Sequence, residues 1–218
     1  MSERTIEDCL REEYFSLLPE AQRVLEELEA EVRYCLLPLS SRLDKYEKLA
    51  VTSRVKDCES ALGALRRRQE GAIFDRERVS TYTLATLNDL AGVRVLVFPR
   101  SRLMEANTAL RGHERFKLWE SDPVPAVDGS GEPLAFKYYG YCSRSATVRA
   151  ELQVVPMLVG LFWQVEHAAI YKPDPQLRGA LSELAMQQRT GDVYKALKDF
   201  ETEFERLIRS DPLKTRAD

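Results

Sequence analysis

The sequence has no excess of positive charge. Its 218 residues contain 32 Lys and Arg against 35 Asp and Glu, which gives a formal net charge of −3. A polycationic surface that coats nucleic acid is therefore excluded, and any phosphate-binding site has to be local. Hydrophobic residues make up 44% and charged residues 31% of the chain. This balance is typical of a globular domain and excludes a disordered or fibrous protein.

Long apolar runs and a CxxC pair are also missing. The most apolar stretch, 157–165, is far shorter than the roughly 20 residues that span a bilayer, and the polar start MSERTIEDC is not typical of a signal peptide. We therefore expect a cytoplasmic protein with no membrane partner. Four scattered cysteines and two histidines form no recognisable zinc motif, so reduced thiols are expected. These residues are Cys9, Cys35, Cys58, Cys142, His113 and His167.

Hydrophobic periodicity predicts helices at both ends of the chain. Apolar residues at steps of three and four predict two helices, 6–17 and 20–37, with Pro19 and Pro38 at their boundaries. A further amphipathic helix is predicted within 176–209. We therefore divide the chain into an N-terminal helical extension (1–45), a core (46–175) and a C-terminal helical extension (176–218). The terminal helices are interpreted as a scaffold, with an oligomer or partner surface as the alternative.

The core alternates between strand and helix patterns. Period-two alternation predicts a strand over 49–56 with a basic exposed face, and the segment AGVRVLVF (91–98) predicts a central strand. Strand-like sequence recurs over 141–155, helices are predicted at 60–68, 101–111 and 157–171, and a Pro- and Gly-containing loop at 122–131. The fold class is α+β, with a mixed sheet of four or five strands covered by helices.

Two carboxylates at strand positions carry the chemical prediction. Asp89 precedes the 91–98 strand and Glu151 lies in ELQVV, while Arg54 and Lys56 alternate along another strand. Two acids with several cations are what a Mg²⁺-dependent phosphoryl transfer needs, because Mg²⁺ prefers carboxylate oxygen and guanidinium groups orient phosphate. The plainer alternatives are a solvated strand face for the cations and a turn cap for Asp89.

Several motifs resemble the RelA/SpoT-type (p)ppGpp synthetases, in the family's order between about residues 50 and 172. The family moves pyrophosphate from ATP to the 3′ hydroxyl of GDP or GTP. The resemblance implies a nucleotidyltransferase-like core like that of single-domain alarmone synthetases. The motifs are Ser53-Arg54-Val55-Lys56, Asp89-Leu90-Ala91-Gly92-Val93-Arg94, Lys137 with Gly140-Tyr141 and Ser143, Glu151-Leu152-Gln153-Val154, and Glu166-His167 with Tyr171-Lys172.

The resemblance also implies roles for these residues. Tyr141 would stack on the acceptor base, and the glutamate of the ExQ strand would bind metal or activate the acceptor hydroxyl. Arg66 belongs to an arginine triplet whose plainer interpretation is a solvated helix face. The full assignment is Asp89 and Glu151 for catalysis and Mg²⁺, Arg54, Lys56, Arg66 and Arg94 for ATP, and Lys137, Tyr141, Gln153 and His167 for the acceptor.

The sequence departs from the family pattern on the acceptor side. Val155 and Pro156 stand where the family usually carries Arg-Thr, and Ser145 stands where it tends to place His. A tryptophan position is occupied by Phe162, with Trp163 shifted by one residue. The stretch between Tyr141 and Glu151 is also short, so little room for a hairpin is expected. ATP as donor is therefore better supported than the identity of the acceptor.

The predicted function is Mg²⁺-dependent pyrophosphotransfer from ATP to GDP or GTP. A first alternative is a toxin that pyrophosphorylates the 3′ CCA end of tRNA, with an antitoxin as partner. A second is a catalytically inactive nucleotide- or partner-binding module. Hydrolysis is not expected, because His113 precedes Glu114 and His167 precedes Ala168, so the His-Asp pair of the family's hydrolase half is missing.

Overall fold

The computed structural model describes residues 5–72, 83–126, 131–142, 145–166 and 183–209. Within these ranges, no helix is long and apolar enough to cross a membrane. The helices are α1 (Ile6–Ser40), α2 (Cys58–Ala72), α3 (Arg102–Gly112), α4 (Glu114–Lys117), α5 (Met157–Glu166) and α6 (Glu183–Arg209), and a 3₁₀ turn covers Leu84–Thr86. The strands are β1 (Lys48–Val55), β2 (Ala91–Phe98), β3 (Glu120–Pro125), β4 (Pro133–Tyr141) and β5 (Arg149–Pro156).

The strands form one mixed sheet in the order β1-β2-β5-β4-β3. β2 and β5 are parallel, whereas the other three neighbouring pairs are antiparallel. Helices and strands both contribute to the core, so the predicted α+β class with four or five strands is confirmed. The parallel pair places the start of β2 beside the start of β5, next to the end of β1.

The N-terminal helix corrects one prediction. A single helix, α1, replaces the two predicted helices, and both Pro19 and Pro38 lie inside it. Thr5 caps its start in a reciprocal hydrogen-bonded box with Asp8. Proline inside a helix costs about 3 kcal/mol, but the buried stripe of α1 continues past Pro19, and its packing outweighs that cost. The stripe is Leu10, Tyr14, Ala21, Val24, Leu28, Val32, Leu36 and Leu39.

One face of the sheet is filled by apolar side chains. Alternate residues of the two central strands point into the cluster that includes the stripe of α1 and the inner side of α3. The strand residues are Val93, Val95 and Val97 of β2 and Leu152 and Val154 of β5, each at most 1% exposed. The predicted alternation in β1 is confirmed, because Leu49, Val51 and Val55 pack against this cluster.

Among the described residues, the other face is covered at one end only. There α5 packs on Leu96 of β2 and Val155 of β5 through Val159. A Cβ atom at Gly160 would lie 2.3 Å from Leu96 Cδ2, so any larger residue here would force the Leu96 side chain to move. Phe204 of α6 packs its ring at 5.3 Å from that of Phe98. The remainder of this face, nearer the start of β2 and β5, is called the open face below.

Two predictions around β3 and β4 were wrong. Residues 120–125, which include the first four residues of the predicted loop (122–131), form the edge strand β3, and residues 127–130 of that loop lie outside the described residues. Pro123 and Pro125 are tolerated because the outer edge of a sheet needs no backbone N–H donors. The strand-like segment 141–155 is also not continuous. β4 ends at Tyr141 and pairs antiparallel with β5, Tyr141 opposite Arg149, so a hairpin does fit. A Cβ at Gly140 would lie 2.4 Å from the Trp119 ring, which packs against it.

Candidate active site

The open face brings most of the predicted site residues together. Residues directly opposite in neighbouring strands point to the same side of a sheet, so the strand register defines two polar rows. One row runs through Arg54, Gly92, Glu151 and Tyr139, and the next runs through Thr52, Arg94, Gln153 and Lys137. Four strands therefore contribute to one surface. Because Gly92 has no side chain, the first row has a gap between Arg54 and Glu151.

Lys56 and Asp89 form an ion pair at the edge of this surface. Lys56 follows β1 and Asp89 precedes β2, and the Lys56 amide donates to the Leu90 carbonyl at 2.8 Å, which extends the β1–β2 ladder by one residue. The Lys56 Nζ contacts Asp89 Oδ2, and the side chains are 12% and 33% exposed. The predicted donor-side cation and metal-binding acid are thus neighbours, and Asp89 remains accessible from solvent.

Glu151 lies in a hydrogen-bonded chain of side chains. Gln153 Nε2 donates to Glu151 Oε2 at 2.8 Å, and Arg94 Nε donates to Gln153 Oε1 at 2.8 Å. Arg94 also donates to the Gly160 carbonyl at 3.4 Å, and its guanidinium lies over the Trp163 ring, 6.0 Å from the centroid. Arg94 is therefore held beneath α5 and orients Gln153. The predicted role of Arg94 in ATP binding stays a prediction.

The ionisation of Glu151 depends on its burial and on the charges around it. Burial is the largest cause of a raised pKa at Glu151; nearby Lys137 opposes this shift, and the negative charge of Asp89 adds to it. Burial also raises the pKa of Tyr139 to about 12, and Glu151 contributes through its charge and a hydrogen bond. The ionised form of Glu151 is thus short of positive charge, which a cation between Asp89 and Glu151 would supply.

The chemistry of these donors fits Mg²⁺. Asp89 and Glu151 offer hard carboxylate oxygens, and Mg²⁺ is usually bound by one or two carboxylates together with water and substrate phosphates. Neither Cys nor His is among the side chains of the two polar rows. The residues present would therefore hold a hard divalent cation in preference to zinc.

The described residues that were predicted to bind the acceptor, Lys137, Tyr141 and Gln153, lie on β4 and β5. The Tyr141 side chain is 49% exposed, and the Arg149 guanidinium lies over its ring, 5.5 Å from the centroid. Arg149 Nη2 also pairs with Glu120 Oε2 at 3.3 Å, while its Nε is buried with no hydrogen-bond partner among the described residues. Lys137 lies two rows away, opposite Gln153. An exposed ring backed by a cation is suited to base stacking.

Other predicted residues have different surroundings. Arg54 is exposed on the open face, close enough to contribute to the lowered pKa of Arg94, for which burial is the larger cause. Arg66 lies on α2 and pairs with Glu7 of α1, which agrees with the plainer interpretation of a solvated helix face, and its role in ATP binding stays a prediction. The predictions for His167 and Ser143 lie outside the described residues.

The residues at which the sequence departs from the family pattern lie beside the open face. Val155 is fully buried beneath α5, and Pro156 ends β5. The Ser145 hydroxyl accepts from the Val148 amide at 3.1 Å and so shapes the β4–β5 connection. Trp163 is the α5 aromatic that lies over Arg94, and its Nε1 donates to the Tyr194 hydroxyl at 2.5 Å.

The prediction overlooked Arg149 and gave Tyr139 no place in the site. Both follow from the alternation of strand side chains, because Arg149 lies two residues before Glu151, and Tyr139 lies between Lys137 and Tyr141 in alternate positions. The positions of the motif residues were thus sufficient to place both side chains on the same face of the sheet. The position of Asp122 on β3, opposite Lys137, could be found only from the observed strand order.

Comparison with solved structures identifies the fold. Small alarmone synthetase 1 from Bacillus subtilis, bound to its product pppGpp, aligns with a TM-score of 0.64 and 16% identity over 90% of this chain and 96% of that one. A GTP pyrophosphokinase family protein from Streptococcus pneumoniae aligns with a TM-score of 0.60 and 18% identity, over 90% and 94%. The chain has the fold of the small alarmone synthetases.

This alarmone synthetase fold extends beyond the motif region. Small alarmone synthetase 2 from B. subtilis covers 87% of the chain, at 15% identity and a TM-score of 0.58, so the likeness extends outside residues 50–172. The predicted resemblance and the nucleotidyltransferase-like core are therefore confirmed at the level of fold. No family model matches the sequence, and no curated protein matches it significantly.

Proposed function

We propose that the protein transfers pyrophosphate from ATP to the 3′ hydroxyl of a guanine nucleotide, GDP or GTP, in a Mg²⁺-dependent reaction. The observation that carries the proposal is the position of the Lys56–Asp89 pair beside the Glu151 network, on the open face of a sheet with the alarmone synthetase fold. Of the similar structures, B. subtilis small alarmone synthetase 1 was solved with pppGpp and with AMPCPP.

The reaction needs positioning and charge neutralisation more than covalent help from the protein. The acceptor 3′ oxygen attacks the β-phosphorus of ATP, the bond from that phosphorus to the bridging α-phosphate oxygen breaks, and AMP leaves. The hydroxyl proton passes to a base, for which Glu151 is the candidate. A bound Mg²⁺, held by Asp89 and Glu151, would neutralise charge on the polyphosphate.

The open face offers separate positions for donor and acceptor. Arg54 and Lys56 line the β1 side, where an exposed guanidinium can stack on adenine and a lysine can contact phosphate. Tyr141 and Lys137 line the β4 side, where the ring can stack on the guanine and the ammonium can contact acceptor phosphate. Glu151 lies on β5 between these two sides, where the reacting groups would meet.

Transfer of a terminal phosphate label tests the proposal. ATP carrying ³²P at the γ position is incubated with the protein and Mg²⁺, with GDP, GTP, ADP or deacylated tRNA offered in parallel. We expect label on the guanine nucleotides, because pyrophosphate carries the γ-phosphate with it. Label on tRNA would replace the proposed acceptor by the 3′ end of RNA, and no transfer to any acceptor with ATP still bound would refute the enzymatic proposal.

A matched pair of glutamate variants assigns the activity to this site. Glu151→Gln keeps the shape of the side chain and removes its charge, so transfer should fall about 10²–10³-fold. Glu203→Gln changes a glutamate of α6 that pairs with Arg206 at 2.6 Å and should leave transfer unchanged. Equal rates for the two variants would show that the label transfer does not depend on the open face.

A further inference from the structure

A second cluster of potential metal ligands lies on the opposite side of the sheet from the open face. Glu31 and Cys35 are one turn apart on α1, and His113 lies between α3 and α4. One ligand atom from each of the three side chains lies within 4.8 Å of the other two. The sequence did not indicate this cluster, because His113 is 78 residues beyond Cys35 (113 − 35).

The contacts within the cluster leave ligand capacity unused. His113 Nε2 lies 3.2 Å from Glu31 Oε1, and Arg115 Nε lies 3.7 Å from Glu31 Oε2, so the two carboxylate oxygens face different neighbours. His113 Nδ1 is buried and has no hydrogen-bond partner in the described part of the chain. A buried imidazole nitrogen without a partner is costly unless something binds it. Cys35 is a free cysteine, so its sulfur is not part of a disulfide.

We propose that Glu31, Cys35 and His113 bind a borderline transition-metal cation of the Zn²⁺ class, with water as the fourth ligand. Ligand atoms around tetrahedral zinc lie about 3.3–3.8 Å apart, given metal–ligand distances of roughly 2.0–2.3 Å, so small side-chain movements complete the site. Thiolate and imidazole favour such a cation over Mg²⁺. On binding, the sulfur–metal bond forms and the thiol proton is released to solvent.

The proposed metal site would connect α1, which supplies much of the core, to the junction between α3 and α4. α1 contributes the buried stripe, and His113 belongs to the α3–α4 junction, so the metal would cross-link two segments distant in sequence. The site stabilises the layer behind the sheet and contributes no group to the open face. Its loss should therefore lower thermal stability without removing the Mg²⁺-dependent activity, and the proposal is independent of the proposed function.

Titration of the metal-free 218-residue chain with Co²⁺ tests this site. Mg²⁺ is present in excess, so that the carboxylates of the open face are occupied by a hard cation. We expect one equivalent of Co²⁺ to produce visible d–d bands of tetrahedral geometry and a near-ultraviolet thiolate-to-cobalt charge-transfer band. Zn²⁺ should then bleach both bands, because it binds such sites more tightly than Co²⁺. Absence of the charge-transfer band in the wild-type protein would overturn the proposal.

Cysteine and histidine variants identify the residues that bind the metal. Cys35→Ser should remove the charge-transfer band, and His113→Gln should weaken Co²⁺ binding at least about tenfold while the thiolate band persists at saturation. Cys58→Ser, which changes a partly buried cysteine on α2, is the matched control and should leave the spectrum unchanged. A band that survives in Cys35→Ser, or that disappears in Cys58→Ser, would assign the metal to another thiol and refute the site.

The thermal midpoint provides a second readout for the same variants. A cation that binds only the folded protein raises stability by mass action, so Zn²⁺ should raise the midpoint of the wild-type protein and of Cys58→Ser, but not that of Cys35→Ser. The comparison is made within each variant with and without Zn²⁺, so a variant that is itself less stable remains informative. An equal rise in Cys35→Ser would contradict the proposed ligand set.

Discussion

Within the same strands, alternate residues of the sheet face two very different environments. On β5, Leu152 is fully buried in the apolar core, whereas its neighbour Glu151 lies on the open face within a polar network. On β2, Val93 is buried and the adjacent Arg94 is held by Gln153. The core face therefore supplies stability, and the open face carries partly buried charges that a globular fold does not require. Substitutions on the two faces should separate stability from activity.

The largest expected effect is the loss of activity in Asp89→Asn. Removing this charge would deprive the proposed Mg²⁺ of one carboxylate, and it removes the carboxylate that pairs with Lys56. We expect transfer to fall by about 10³-fold or more, which corresponds to about 4 kcal/mol. Unfolding in urea should change by less than about 1 kcal/mol, because the Lys56–Asp89 pair is partly exposed. Asp199→Asn, which changes an exposed aspartate of α6, is the control and should preserve both quantities.

Leu152→Ala should affect stability more than activity, the opposite of Asp89→Asn. Removing a fully buried leucine leaves a cavity, so the free energy of unfolding should fall by about 3 kcal/mol. Gln153→Ala, one residue further along β5, removes the link between Arg94 and Glu151 and should lower transfer with a smaller loss of stability. Urea unfolding and label transfer, measured on both variants, test this division between the two faces of the sheet. If the adjacent substitutions lost stability and activity in equal proportion, the division between the faces would be wrong.

The sequence predicted the strands of the site better than the helices around them. Alternation in 49–56 and the apolar run 91–98 depend on local patterns, and both strands are observed where they were expected. The boundary predicted at Pro19 was wrong because the decisive interaction is distant, namely the packing of α1 on the sheet and α3. Local rules describe a proline in isolation and do not include that burial.

The residues of the candidate site could be named from the sequence as far as their motifs extended. Lys56, Asp89 and Glu151 were named from the sequence, and the structure places them on one surface. The network that holds Arg94 could not be predicted, because it depends on the α5 carbonyl of Gly160 and on Trp163. Such contacts between a strand and a later helix follow from the packing angle, for which the sequence contains no local signal.

Tyr141→Ala tests whether the open face divides into donor and acceptor sides. The exposed ring should contribute about 2 kcal/mol of stacking to acceptor binding, so the KM for the guanine nucleotide should rise roughly 30-fold while ATP binding is retained. Tyr141→Phe keeps the ring and should restore most of the acceptor affinity. Equal losses of ATP and acceptor binding in Tyr141→Ala would place this tyrosine outside the acceptor side.

The smallest expected effect comes from a buried acid outside the open face. Glu201 of α6 is 2% exposed and accepts the Arg100 amide at 2.8 Å. Burial raises its pKa to about 7 against the opposing hydrogen bond from Arg100. The folded protein therefore binds a proton that the unfolded chain has already released between about pH 5 and 7. This acid should lower the free energy of unfolding as the pH rises through that window.

Glu201→Gln removes this titration and keeps an acceptor for the Arg100 amide. The variant should equal the wild-type protein in stability near pH 5 and exceed it by about 1–2 kcal/mol at pH 8, measured by urea unfolding across this range. Glu203→Gln, on an exposed site of α6, should not change the pH slope. Transfer activity should be unchanged in Glu201→Gln, since this carboxylate packs at the turn before α3 and not on the open face. A loss of activity matching that of Glu151→Gln would mean that burial of an acid, and not its position on the open face, determines function.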